Sequence, residues 1–116
     1  MDARLQLKAE IWVQAYMRQR MGEGLSCYVA RRGDADAGAI FVKIARLDGT
    51  AEAFAQTQDE TGGLAWRRAV GGPAPEGEVD AFLARQAEFD PDIWVVEVED
   101  PAGEPRFIEP LVNDAS

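Results

Sequence analysis

Two aspartates, Asp34 and Asp36, stand one residue apart between Gly33 and Gly38, and carboxylates at this spacing could hold a hard divalent cation through oxygen ligands. The competing interpretation is a turn, because aspartate and glycine both suit the backbone conformations of turns. The segment also lacks the distal glutamate of an EF-hand loop. We therefore predict no metal site, and we keep both aspartates as candidate ligand- or partner-binding residues.

Two arginine pairs, Arg31-Arg32 and Arg67-Arg68, could bind a phosphate or a partner's carboxylate, since guanidinium groups suit both. Neighbouring residues of a strand point to opposite faces, so only one arginine of each pair can join any one patch. The competing interpretation is ion pairing with some of the 21 acidic residues. Trp66 precedes the second pair and could stack on a nucleobase, although a tryptophan in such a strand is more often part of the core.

Other residue types further limit the reactions that the chain could catalyse. The chain has no histidine, which removes Ser-His and Cys-His nucleophile pairs and most zinc sites. Cys27 is the single cysteine, and a buried core position is the commoner role for such a residue. Asp90 and Asp92 could act with Glu97 or Glu99 in acid–base catalysis, but a helix stop before proline explains them as well. The sequence therefore predicts no catalytic residue and no cofactor.

The bulk composition indicates an acidic globular chain of 116 residues. This length predicts one domain over 1–116, with an ordered core of about 5–110 and a frayed tail at Asn113–Ser116. A net charge of −9 argues against nucleic-acid binding and against docking on anionic membranes. No run approaches the roughly 18 apolar residues of a membrane span, and no secretion signal is recognisable. A single cysteine fits a reducing cytoplasm.

Hydrophobic periodicity predicts the elements that would position these residues. Apolar residues at helical spacing predict a helix from about Lys8 to Met21, with Leu5 at the start of its apolar stripe. A second helix begins near Glu76 and ends at Asp90-Pro91. The remaining runs predict strands over 25–32, 39–47, 50–56, 64–70 and 92–99, with a short edge strand at 106–108.

Asp48-Gly49 is the strongest local signal, because a two-residue type I′ hairpin turn requires positive φ at both positions. A turn there would set Ile44 opposite Ala53 and Val42 opposite Ala55, giving one apolar face and one mixed face. A sheet with one apolar face needs a cover on that face only. We therefore predict an α+β fold with an N-terminal helix, an antiparallel meander of about four strands, a second helix and a final strand, both helices lying on one face of the sheet.

Five stretches of the chain occur together in a specific combination: Leu7–Val13, Arg31–Ile40, Arg46–Ala51, Phe82–Gln86 and Phe89–Glu97. In this combination the chain resembles an uncharacterised bacterial family, domain-of-unknown-function family 1491 (DUF1491), which is best represented in alphaproteobacteria. The matching stretches cover most of residues 5–100. The resemblance implies a small cytoplasmic protein, and it implies no activity, cofactor or catalytic residue.

With no catalytic set, we expect a non-catalytic protein-binding or adaptor module that acts as a homodimer through an exposed strand edge. One alternative is a nucleic-acid or nucleotide binder, since a helix followed by bent antiparallel strands is similar to an Sm-like barrel; the acidic charge argues against it. The other alternative is a small carboxylate-dependent enzyme. The candidate ligand- or partner-binding residues are Arg31, Arg32, Asp34, Asp36, Trp66, Arg67 and Arg68.

Overall fold

The computed structural model of the protein describes residues 8–112, and within this range it contains two helices and a six-stranded mixed sheet. The predicted α+β class is confirmed, and the sheet has six strands where the predicted meander and final strand gave about five. Leu5 of the predicted helix stripe and the predicted frayed tail Asn113–Ser116 lie outside the described residues. The elements are α1 (Ala9–Gly22), β1 (Ser26–Arg31), β2 (Ile40–Ala45), β3 (Thr50–Gln58), β4 (Leu64–Arg68), β5 (Ala74–Pro75), α2 (Glu76–Phe89) and β6 (Trp94–Glu99).

The strands lie in the order β1-β6-β2-β3-β4, and the two-residue β5 pairs with the start of β3. The last strand, β6, is inserted between β1 and β2; it runs antiparallel to β1 and parallel to β2. The predicted meander therefore holds for β2, β3 and β4 but is wrong for β1. The reason is burial: β2 and most of β6 are buried on both faces and occupy the middle of the sheet, whereas β1 is mostly exposed and forms an edge.

The two helices cover opposite faces of the sheet, so the prediction that they share one face is wrong. Trp12, Val13 and Tyr16 of α1 pack on the face that carries Val42 and Val96. On the other face, Val79 and Leu83 of α2 pack in a second core with residues such as Phe41, Ala53 and Val95, which alternate with the first set along the strands. A sheet whose central strands are apolar on both sides needs a cover on each side.

The β2–β3 hairpin is displaced by one residue from the predicted register. Ala45 faces Ala51 across a three-residue loop that begins at Leu47, whose φ is +65°, and ends at Gly49, whose φ is +91°. A one-residue shift moves every side chain of a strand to the other face. The alanines of β3 therefore lie under α2, while Glu52 and Phe54 of the same strand face α1's side of the sheet.

The loop between β1 and β2 fastens three elements through its backbone. Its carbonyls at Ala35 and Asp36 accept the N–H groups of Glu10 and Ala9, at 3.0 and 3.2 Å, which satisfies the first turn of α1 without a side-chain cap. The N–H of Asp34 donates to the carbonyl of Asp92, at 3.0 Å, just before β6.

Gly33 lies directly against the backbone of the segment before β6, since a Cβ atom there would be only 2.2 Å from the Asp92 carbonyl oxygen. We expect Gly33→Ala to reduce the free energy of unfolding by about 2–3 kcal/mol, because backbone on both sides must move to admit the methyl group. The matched control is Gly77→Ala in α2, where nothing lies within 4 Å of the new atom. This control should raise stability by about 0.5–1 kcal/mol, since alanine is the better helix former. Urea unfolding measures both, and equal effects would contradict the close approach at Gly33.

Candidate functional site

The structure places the two predicted arginine pairs on opposite edges of the sheet. Arg31 and Arg32 end β1 at one edge, whereas Arg67 and Arg68 end β4 at the other. Four strand spacings separate these edges, which is roughly 19 Å at about 4.8 Å per spacing. The pairs therefore do not form one basic patch. The strand path is also open, with β1 and β4 at its two ends, so it does not form the barrel of the Sm-like alternative.

A bulge between Val29 and Arg31 determines where the first pair points. Arg31 donates to the Pro91 carbonyl at 2.9 Å. Arg32 lies on the other face, where its guanidinium stands 5.1 Å from the centre of the Trp94 ring and pairs with Glu10 of α1. Arg31 thus contacts the segment before β6, and Arg32 contacts α1 and β6.

The second pair lies on β4, with each arginine on its own face of the sheet. Arg67 is opposite Ala55, on the side that α2 covers. Arg68 lies opposite Phe54 and forms an ion pair with Glu52, a carboxylate that is almost completely buried. A buried carboxylate is costly without a partner, so Arg68 has a structural role, the ion pairing with an acidic residue that was the competing interpretation of this pair.

Trp66 is fully buried, so the interpretation of this residue as a stacking platform for a base is wrong. Its ring stacks on that of Phe107, with 4.3 Å between centroids and 6° between planes. Trp66 is therefore a core residue, which is the commoner role of a tryptophan in such a strand.

The aspartates of the β1–β2 loop form a turn. The Asp34 carboxylate accepts the backbone N–H groups of Asp36 and Ala37 at 3.2 and 2.8 Å, and Asp36 lies 3.6 Å from Lys8. Asp90 accepts the N–H of the residue two positions on in the same manner. Across residues 8–112, no group of three histidine, cysteine, aspartate or glutamate side chains is arranged to hold a metal ion.

A cluster around Lys43 of β2 was missed at the level of sequence. The Lys43 side chain is only 4% exposed, and its ammonium lies 2.7 Å from carboxylate oxygens of both Glu76 and Asp80, at the start of α2. A third carboxylate, that of Glu97 on β6, lies 3.3 Å away. The signal was a lysine within an apolar strand, but the prediction that both helices lie on one face of the sheet did not place a helix next to Lys43.

These carboxylates hold Lys43 in its charged form. Burial alone would lower the pKa of the amine, but hydrogen bonds to Asp80 and Glu76 outweigh it and raise the pKa well above the ordinary value. A lysine that keeps its proton serves neither as a general base nor as a nucleophile. The cluster therefore attaches the first turns of α2 to the centre of the sheet.

Two further ionisable groups are kept neutral by burial. Desolvation raises the pKa of Tyr16 to about 12, and its hydroxyl donates to the Pro105 carbonyl at 2.7 Å. Desolvation also raises the pKa of the Cys27 thiol, which donates to the Met17 carbonyl. A reactive cysteine needs a lowered pKa, so Cys27 lacks the feature that activates a thiol.

The chain itself closes the β4 edge of the sheet. The N–H of Trp66 donates to the Pro110 carbonyl at 2.9 Å, and the N–H of Val112 donates to the Trp66 carbonyl at 2.7 Å. The predicted edge strand at 106–108 is not a strand; the pairing occurs farther along, as a parallel bridge between Trp66 and Leu111. Glu109 anchors this strap, defined here as residues 104–112, by accepting the indole N–H groups of Trp12 and Trp66 at 3.1 and 3.0 Å.

The opposite edge of the sheet, along β1, is open. Its strand pairs with β6 on one side only, and Tyr28 and Val29 are 47% and 37% exposed. Val29 also lines a groove of about 330 Å³ between β1 and α1. The groove is mainly apolar and is lined by Val13, Met17, Met21 and Trp94, together with the polar or charged residues Glu10, Gln14, Arg18 and Arg32. This edge and the groove beside it are the most accessible apolar surface that the strands present.

The chain belongs to the DUF1491 family, a family of unknown function, whose sequence profile matches residues 7–108. The chain is similar to a crystal structure of a DUF1491 family protein from Caulobacter crescentus CB15, with 41% identity and a TM-score of 0.84 over 92% of this chain and all of that one. An NMR structure of a DUF1491 family protein from the same organism gives 41% identity and a TM-score of 0.79, covering 91% of this chain and 96% of that chain.

A solution structure of protein Atu0922 from A. tumefaciens is 30% identical, with a TM-score of 0.70, and the match covers 80% of this chain and 85% of that one. No curated protein matches the chain. Between residues 8 and 112, neither helix has the length and apolar character needed to cross a bilayer.

We expect Lys43→Met to reduce the free energy of unfolding by about 3 kcal/mol at neutral pH, because three carboxylates then face one another without a cation. Because the carboxylates raise the pKa of Lys43, the ion pairs contribute fully below the ordinary lysine pKa of about 10.4, and their contribution falls as the pH rises above it. Lys8→Met is the control: this lysine is exposed and should change stability by less than about 0.5 kcal/mol. Urea unfolding from pH 7 to 11 measures the difference, and a loss that does not shrink toward pH 11 would contradict the electrostatic explanation.

We expect Glu109→Gln to destabilise the protein by about 1–2 kcal/mol, because an amide offers one acceptor oxygen where two indole N–H groups need partners. The indole protons of Trp12 and Trp66 should exchange with solvent faster in this variant, which NMR can measure. Glu104→Gln, an exposed position in the same strap, serves as the control and should leave both indole protons unchanged. Equal exchange rates in the two variants would show that Glu109 does not anchor the strap.

Proposed function

We propose that this protein is a non-catalytic protein-binding module and that its binding surface is the open β1 edge. The observation that carries the proposal is the difference between the two edges of the sheet. The β4 edge is paired by the chain's own strap, whereas the β1 edge retains unpaired backbone groups beside exposed apolar side chains. An extended segment of another protein binds such an edge by adding a strand.

The composition of β1 supports this role. Soluble proteins protect exposed edges with charged side chains, prolines or a covering element. Residues Ser26–Ala30 of β1 include no charged side chain and no proline, although the chain as a whole has a net charge of −9. A bulge at Ala30, between Val29 and Arg31, interrupts the regular pairing of this strand with β6.

The arrangement of the neighbouring helices supports it further. α2 packs on β2 and β3, and α1 leaves a groove along β1, so no described element covers Tyr28 or Val29. A strand added at this edge would place alternate side chains against the groove, which would give the interaction its specificity. The single cysteine is consistent with the cytoplasm as the place where the module acts.

A pull-down with the immobilised chain tests the proposal, with a lysate of the native organism and an untagged second copy offered in separate experiments. We expect the wild type to retain a protein in at least one of them, and Tyr28→Lys and Val29→Lys to lose it, because a lysine on an edge strand opposes pairing. Leu47→Lys, an exposed apolar position in the β2–β3 loop, is the matched control and should retain the same protein. Retention of nothing, or equal retention by the edge variants, would refute the proposal.

A further inference from the structure

We propose that the partner of the β1 edge is a second copy of this chain, and that the two β1 strands pair antiparallel about a two-fold axis at Tyr28. The inference rests on the proposed function, because it names the partner of the same edge. The product would be one continuous sheet through two copies, with Tyr28 facing its own counterpart across the seam.

The charge pattern of the edge favours a second copy. The five residues Ser26–Ala30 carry no formal charge, so an antiparallel pair of these strands brings no like charges directly opposite each other. A chain with a net charge of −9 otherwise repels its copies. The neutral strand is therefore a place where two such chains can meet without close repulsion, and added salt should strengthen the contact by screening the remaining charges.

Symmetry and strand geometry determine the register. Residues directly opposite each other in a sheet share a face, and a two-fold axis perpendicular to the sheet keeps the faces of both copies aligned. A β1 residue must then face either its own counterpart or a residue an even number of positions away. The neutral run is centred on Tyr28, so full overlap sets Tyr28 opposite the partner's Tyr28 and Cys27 opposite the partner's Val29.

The side chains on each face suit this register. On one face, Tyr28 lies beside Glu97, and α2 contacts strands β2 and β3 rather than β1, which leaves room for two tyrosine rings to pair. On the other face, Cys27 and Val29 alternate with Tyr28 next to the groove, so the seam would bury Val29 against the partner's Cys27.

The other edge of the sheet ensures that the assembly stops at two copies. The strap pairs with β4 and removes that edge as a site for further strand addition, so the contact closes as a dimer instead of extending into a fibre. A seam of five residues buries less surface than the roughly 800 Å² per partner of a standard stable interface. We therefore expect a dimer whose fraction rises with protein concentration and with salt.

Cysteine cross-linking tests the register directly. In a Cys27→Ser background, Tyr28→Cys places two thiols opposite each other across the seam, with about 4.5–5.5 Å between Cα atoms, which a disulfide can bridge. We expect oxidation with diamide to produce a covalent dimer about tenfold faster than in the control Cys27→Ser/Leu47→Cys, whose exposed thiols meet only by collision. Light scattering without oxidant should give about twice the chain mass for the wild type at high concentration.

Two further variants make the test specific. Cys27→Ser/Val29→Cys separates the two thiols by about 8 Å and should cross-link no faster than the control. Val29→Cys alone keeps Cys27, which faces position 29 of the other copy, and should cross-link rapidly. A Tyr28→Cys variant no faster than the control, or wild-type Cys27 that cross-links with its own counterpart, would overturn the proposed pairing. An edge-dependent host protein in the pull-down would then leave the protein-binding function in place with a different partner.

Discussion

β2 and β6 are buried on both faces, and the arrangement of the other elements depends on this condition. Their side chains alternate between the core under α1, which holds residues such as Val42 and Val96, and the core under α2, which holds Phe41 and Val95. Each strand would expose apolar side chains if either face lacked a cover, at a cost of about 25 cal/mol per Å². The two helices therefore lie on opposite faces, and the less apolar strands lie at the edges.

Charged residues inside the fold form ion pairs and hydrogen bonds between elements that the apolar cores bring together. Lys43 attaches the start of α2 to the sheet through carboxylates from two elements, and Glu109 attaches the strap to Trp12 and Trp66. Buried polar groups are tolerated when their hydrogen-bonding capacity is used. These residues hold the elements of the molecule together.

The two edges of the sheet connect the fold to the proposed function. The strap satisfies the backbone of β4 at Trp66, whereas the backbone of β1 beyond β6 has no such neighbour among residues 8–112. A protein that closes one edge and leaves a neutral, half-exposed strand at the other has a directional surface for strand addition. The DUF1491 family proteins of known structure to which the chain is similar share its fold.

The candidate site shows the limit of reasoning from residue types. One arginine from each of the pairs Arg31-Arg32 and Arg67-Arg68 could be proposed to form a basic patch, but the order of the strands places the two pairs at opposite edges of the sheet. Trp66 has the same type as a stacking residue and is buried against Phe107. Whether such a side chain meets a ligand or the core depends on strand neighbours that are distant in the chain.

The sequence by itself determined the local elements, because helix and strand periodicity are properties of adjacent residues. The helix predicted from about Lys8 to Met21 is Ala9–Gly22, and strands occur where alternation predicted them around Asp48-Gly49. Two features were decided only by the tertiary structure. One is the register of the β2–β3 hairpin, which an extra loop residue at Leu47 shifted, and the other is the insertion of β6 beside β2. The opposite placement of the helices, the Lys43 cluster and the open β1 edge follow from these two facts. Strand pairing depends on the total apolar surface that segments distant in the chain bury together. No local sequence pattern contains this information.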